Sequence, residues 1–332
     1  MPSQLKPVAW KTHLLVLLVA IAFPFVLKSS FMVNFGVLAL FYAFIGQSWN
    51  ISGGFAGQLS FGHVAFFGVG AYASTIVQMR FGLSPWLGLP ASALAGALVG
   101  GIIAVLSFRA GLRGSYFALI TLAFAEVLRI LSNSVSITGG GLGMLIPMKA
   151  SAANFQFAER IGFYFLILVL TAASIAVAEW LRHSRFGAHL AAIRENEDAA
   201  MALGINVFAE KVKVMLLSGA LCGMGGCFFA QYFLYIDPTI VFGVDKSVEM
   251  LLVSIIGGAG TVYGPLLGAV LLALVSDGTR VLFQTQGLSL VLYGGLLVVI
   301  IAFLPNGLIH LFKRRRPSVP AAATSGTAGE TR

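Results

Sequence analysis

Ionisable side chains inside apolar runs are where this 332-residue sequence could do chemistry, and they are few. Glu126 and Arg129 lie three residues apart in one such run. On a helix that spacing puts both on one face, where they neutralise each other and lower the cost of burying either. The pair reads as a structural or gating element, because a proton relay needs more carboxylates than the apolar runs offer. His63 follows a glycine-rich break and reads either as a hydrogen-bonded packing residue or as part of a pathway wall; Glu249 stands near the start of a later run. Cys222 and Cys227 share one apolar segment, roughly 140° apart around a helix, and read as small packing residues with no disulfide or metal site implied. The sequence has no G-x-x-x-x-G-K-[ST] phosphate loop, no H-E-x-x-H and no G-x-S-x-G elbow. No nucleophile and base stand in a recognisable arrangement, so the reading is of a chain that is not an enzyme.

The elements that position these residues follow from composition. With 58% hydrophobic and 10% charged residues and a mean hydropathy of +0.93, against roughly a quarter charged in soluble domains, the chain reads as an all-α polytopic membrane protein. Its net charge of +9 sits in loops and in the tail 313–316, where cytoplasmic positive charge collects, and implies no nucleic-acid partner. The first apolar run, 13–27, is long for a signal core and is followed by no small-x-small cleavage site, so it is kept as a span. Runs at 32–49, 60–79, 86–108, 115–131 and 161–181 add five more, each about the 20 residues a bilayer requires. Six spans put the amino terminus and the polar stretch 182–213 on one side. Both carry Lys and Arg, as does the turn 109–113, so all three are assigned to the cytoplasm and 132–160 to the outside.

Beyond the polar stretch, 214–235 and 288–304 read as spans, but 247–276 is broken by G-G-A-G-T-V-Y-G-P at 257–265. One span there would strand the basic tail outside, so two short or re-entrant segments are expected, covered by protein or lining a wet cavity. The total is nine or ten transmembrane or re-entrant segments in a transmembrane domain, 1–312, followed by a basic and then disordered cytoplasmic tail, 313–332. The break at 52–62 is echoed at 256–264, which points to a pseudo-repeat of two halves with the pathway at their interface; chance similarity among 39 glycines is the alternative. Gly53, Gly54, Gly57, Gln58, His63, Gly257, Gly258 and Gly260 are the break or pathway candidates. The pairs Gly53/Gly57, Gly96/Gly100, Gly219/Gly223 and Gly264/Gly268 have the spacing that lets helices approach closely.

The polar stretch itself is rich in helix formers between Gly187 and Gly204, with Leu190, Ile193, Ala200 and Leu203 at helical spacings around a charged turn, 194–198. One short helix outside the bilayer is predicted, stopped by Gly204 in the left-handed conformation. It suits docking on another protein; the alternative is a solvated connector.

Several motifs carry a family resemblance: W-N-I-S-G-G-F-A-G-Q-L-S-F-G-H at 49–63, R-G-S-Y-F-A-L-I-T-L at 113–122, T-G-G-G-L-G at 138–143, R-E-N-E-D-A-A at 194–200, and the stretch 255–268. With these the chain resembles, over nearly its whole length, the LivM-type permease of bacterial branched-chain amino acid ABC importers. The resemblance implies a multi-pass protein of the bacterial inner membrane with both termini cytoplasmic. It makes the polar stretch a coupling helix, with Arg194, Glu195, Glu197, Ala199, Ala200 and Gly204 in or around a groove of an ATPase, small residues seated deep and charges paired at the rim. It also implies a LivH-like second permease, two ABC ATPases that hold the ATP and Mg, and a periplasmic binding protein that carries most of the selectivity; this chain would bind no cofactor. Similar permeases serve urea and short amides. An ion-coupled secondary transporter would share the repeats and broken helices but has no use for an ATPase-docking loop.

Overall fold

The computed structural model describes residues 10–283 apart from 28 and 150, together with 291, 294, 295, 298 and 307–309. Residues 1–9, most of the expected span 288–304 and the tail 313–332 lie outside the described residues. Helices α1 (Trp10–Val26), α2 (Ser30–Asn50), α3 (His63–Phe81), α4 (Pro85–Arg109), α5 (Gly114–Ser134) and α6 (Arg160–His183) correspond to the six expected spans. Helices α7 (Arg185–Glu195) and α8 (Glu197–Ala202) form the polar loop, α9 (Val207–Phe233) follows it, and α10 (Pro238–Val241), α11 (Val244–Gly257) and α12 (Gly264–Phe283) complete the described helices. At the end away from the polar loop, β1 (Met144–Leu145) pairs antiparallel with β2 (Tyr235–Ile236). Among the described residues five helices, Ser30–Phe55, Pro85–Arg109, Gly114–Ser134, Arg160–His183 and Val207–Phe233, are long and apolar enough to cross a bilayer. The chain is a multi-pass membrane protein.

Glycine sets how closely the central helices approach. A Cβ on Gly96 would overlap the carbonyl oxygen of Gly219, and one on Gly223 would overlap that of Ser92, so α4 and α9 meet backbone to backbone. Gly264 and Gly268 do the same between α12 and the end of α11, against Gly258 O and Val253 O. Gly53 and Gly57 depart from the expectation. Helix α2 widens into one π-turn at Ile51–Phe55, so its rotational register changes; Gly53 lies under the Trp49 ring and Gly57 sits in a turn at φ +68°. Replacing Gly100 by Ala puts a Cβ 2.7 Å from Met215 O. This overpacking is expected to lower stability by about 1–3 kcal/mol in detergent unfolding, and unchanged stability would show that the α4–α9 contact has slack.

The broken run 247–276 is two segments, as expected. Helix α11 has 14 residues, too few to cross the roughly 30 Å hydrocarbon core alone, and the chain turns back into α12. Leu308 N donates to Ile256 O at 2.8 Å, which returns the chain to the loop-side end of α11. The polar loop differs from the single helix predicted over 187–204. Asn196 is extended at φ −160° and ψ 114°, and its Oδ1 accepts from Asp198 N and Ala199 N, both at 3.0 Å. Asparagine competes with the helical backbone in this way, ending α7 and capping α8 in one residue. Gly204 does take the left-handed conformation, at φ +83°.

Candidate functional site

The two glycine breaks and the polar loop converge on one point. Helix α2, Ser30–Asn50, is 21 residues long, enough to cross the bilayer before the first break begins. The break therefore lies at the loop-side end of α2. Asn50, at the start of the π-turn, bridges to the second break: its Nδ2 donates to Thr261 O at 2.9 Å and its Oδ1 accepts from Gly260 N at 2.7 Å. A Cβ on Gly54 would overlap both Asn50 Oδ1 and Gly260 N, so this contact requires glycine at 54. Gly260 holds φ +74° and Gly258 φ +121°, while Thr261 Oγ1 donates to Gly258 O at 2.6 Å and accepts from Gly264 N at 3.0 Å. Each break is thereby fixed by side chains.

Arg194, near the end of α7, reaches into this junction. Its Nη1 donates to Gly54 O at 2.9 Å. A Cβ on Gly57 would lie 2.7 Å from the Arg194 Cγ, and one on Gly260 would lie 2.7 Å from Nη1. One guanidinium thus touches both breaks while its other arm, Nη2, donates to Glu195 Oε1 at 3.3 Å, two directions at once that a rigid planar fork of donors can serve.

Glu197, the first residue of α8, forms a second tie. Its Oε2 meets Arg113 Nε at 3.1 Å, its Oε1 pairs with Lys211 Nζ, and Gln58 Nε2 donates to the same Oε1 at 3.5 Å. Asp198 adds a contact to Arg113 Nη1 at 3.0 Å. Arg113 immediately precedes α5, Lys211 belongs to α9 and Gln58 to the first break, so one carboxylate joins four parts of the chain. The Lys211 side chain is only 3% exposed and lies 4.8 Å from the Phe108 ring centroid, which makes this the most deeply buried charge pair of the loop.

The expected docking residues separate into two sets. Glu197 and Ala200 point inward, Ala200 against Ile193 and Val207, which corrects the reading that both sit in or at the rim of a partner's groove. Helix breakage at Asn196 is the reason, since it re-aims the second turn. Glu195, Asp198, Ala199, Met201 and Leu203 face outward, with Leu203 79% exposed. Among the described residues, Glu195 pairs with the neighbouring Arg194, at 3.3 Å.

The remaining candidates are scattered. His63 is buried, its Nε2 2.8 Å from Ser218 Oγ and 3.1 Å from Ser52 Oγ, a packing histidine that ties α3 to α9 and the π-turn. Cys222 donates to His63 O at 3.3 Å. Glu249 pairs with Lys246 at 2.8 Å. Glu126 and Arg129 form the expected pair, with Arg129 Nε donating to Glu126 Oε2 at 2.9 Å, but on the outward face of α5. Sequence reasoning missed Asn50, Arg113, Lys211 and Thr261. Asn50 and Lys211, polar residues at the ends of apolar runs, were the available signal.

A family model described as "Branched-chain amino acid transport system / permease component" matches residues 31–301. The chain is 29% identical over 333 residues to the high-affinity branched-chain amino acid transport system permease protein LivM of Escherichia coli, covering 93% of this chain and 76% of that one. It is likewise 29% identical over 319 residues to the LivM protein of Salmonella typhimurium, covering 89% and 73%. A probable LivM of Methanocaldococcus jannaschii is 26% identical over 315 residues, 81% of this chain and 90% of that one. No solved structure gives a significant match.

Proposed function

Because the chain belongs to the branched-chain amino acid transport permease family, as a LivM-type permease, we propose that it is the membrane-spanning subunit of an ABC importer for branched-chain or other hydrophobic amino acids. Two partner ATPases hold ATP and Mg and hydrolyse the nucleotide, a LivH-like permease completes the channel, and a periplasmic protein delivers the solute. The complex lies in the bacterial inner membrane with the polar loop in the cytoplasm. The observation that carries this reading is the Arg194 contact to both breaks. A solvated connector has no need to grip two interrupted helices, whereas a lever does.

In this mechanism an ATPase seats on the outward residues of α7 and α8. Its movement on ATP binding displaces the loop, and the displacement enters the transmembrane part at two places. Arg194 carries it to the junction of α2 with the α11–α12 turn; Glu197 carries it to the start of α5 and to α9. Such a route transmits force because each tie ends on a packed helix terminus, where small shifts repack an interface. Proteoliposomes containing the four companions are expected to take up labelled leucine when ATP is present on the loop side, with competition by isoleucine and valine but not by urea. Uptake driven by a proton or sodium gradient without ATP would overturn the reading in favour of a secondary transporter.

A further inference from the structure

Among the five long apolar helices α5 is the least buried, and it carries charge where it is exposed. Phe117, Ala118, Thr121 and Ala125 turn inward. Tyr116, Leu119, Ala123, Val127 and Ile130 turn outward, with Glu126 and Arg129 partly exposed among them. Counted from Arg113, the pair stands 13 to 16 residues along, about 20–24 Å at 1.5 Å per residue, and five to eight residues, about 8–12 Å, short of the other end of α5 at Ser134. Even as a pair, two ionised side chains facing lipid cost more than apolar ones would, which argues against a face of α5 that meets acyl chains alone. A dry protein surface fits poorly too. The bidentate contact uses Arg129 Nε and Nη2 against the two Glu126 oxygens. Among the described residues it leaves the Nη1 donors and further carboxylate lone pairs without protein partners, and a buried interface would have to satisfy them.

Resting on the importer reading, we propose that the outward face of α5 lines the wet translocation path and that Glu126 and Arg129 form a transient site for the zwitterionic head of an α-amino acid. Arg129 takes the carboxylate and Glu126 the ammonium. In the empty path the two side chains satisfy each other. A passing zwitterion exchanges one set of charge-assisted hydrogen bonds for another, so it is held weakly enough to leave, as a path requires. The opposed charges also define the ligand class: a neutral amide or a sugar gains nothing from opening the pair. The site is connected to the loop, because Arg113, the residue before α5, is the one that pairs with Glu197 and Asp198.

The test uses the complete complex with its ATPases, second permease and binding protein. The two native cysteines of this chain are buried, so Ala123→Cys, one turn before Glu126, offers a new accessible thiol on the same face. A charged, water-soluble methanethiosulfonate should modify it, and loaded binding protein with ATP and leucine should slow the modification more than about tenfold. No modification, or modification that leucine does not slow, would overturn the site. A second arm separates ligand contact from simple charge pairing. The double exchange Glu126→Arg with Arg129→Glu keeps an ion pair at the same spacing but reverses its polarity. It should restore the assembly and detergent stability lost in Arg129→Gln while leucine uptake stays more than about tenfold below that of the unmodified complex. Full recovery of uptake would show the pair to be structural. ATP-driven uptake by the unmodified complex, measured alongside, distinguishes the two failures: its presence with an unprotected thiol sinks only this site, and its absence sinks the importer reading beneath it.

Discussion

Glu197→Lys should reduce ATP-driven uptake by more than about a hundredfold. In the native chain this carboxylate neutralises Lys211, only 3% exposed, and Arg113. The substitution replaces an anion by a third cation and leaves Lys211 without a counter-charge in an apolar setting beside Phe108. Breaking a buried pair from one side costs about 3–5 kcal/mol, because the remaining ion is left uncompensated. The loop should therefore detach from α5 and α9, which limited proteolysis within 184–206 would reveal as faster cleavage. Removing both charges, Glu197→Met with Lys211→Met, should recover much of the protease resistance, since an apolar pair can replace a buried ion pair at little cost. Native-like uptake by Glu197→Lys would mean that the loop is held in some other way.

Arg194→Ala should have the second largest effect, of a different kind. It removes the loop side chain that reaches both glycine breaks but leaves Glu197 and its partners in place. The loop should keep its fold and its outward surface. Copurification with the ATPases and ATP hydrolysis should persist, while uptake falls to about a tenth or less. Arg194→Lys should recover only part of it, because an ammonium cannot reproduce the planar fork. A parallel loss of hydrolysis and copurification would place Arg194 in the docking surface instead of in the transmission route.

Much of this architecture was legible in the sequence because the bilayer imposes strong rules. The six runs before residue 182 appear as α1 to α6, and the charge argument divided 247–276 at the glycines where α11 ends. The pairs Gly96/Gly100 and Gly219/Gly223 do bring backbones together. The Glu126–Arg129 pair was readable from a spacing of three. What was hidden depends on contacts distant in sequence. Asn50 joins residues some 210 positions away, and no local pattern announces that. The inward turn of Glu197 and Ala200 follows from one asparagine choosing its own cap over the helix. A run of good helix formers conceals that competition, so the whole of 187–204 read as continuous.

The claim on which the rest depends is that the outward surface of α7 and α8 is where an ATPase sits. Leu203, 79% exposed at the end of α8, is the place to ask. With Leu203→Cys in the purified complex, a short bifunctional thiol reagent should join this chain to an ATPase subunit, and nucleotide should change the yield. A thiol at 203 that reacts only with impermeant reagent added from the periplasmic side, or that never cross-links to an ATP-hydrolysing subunit, would contradict the account.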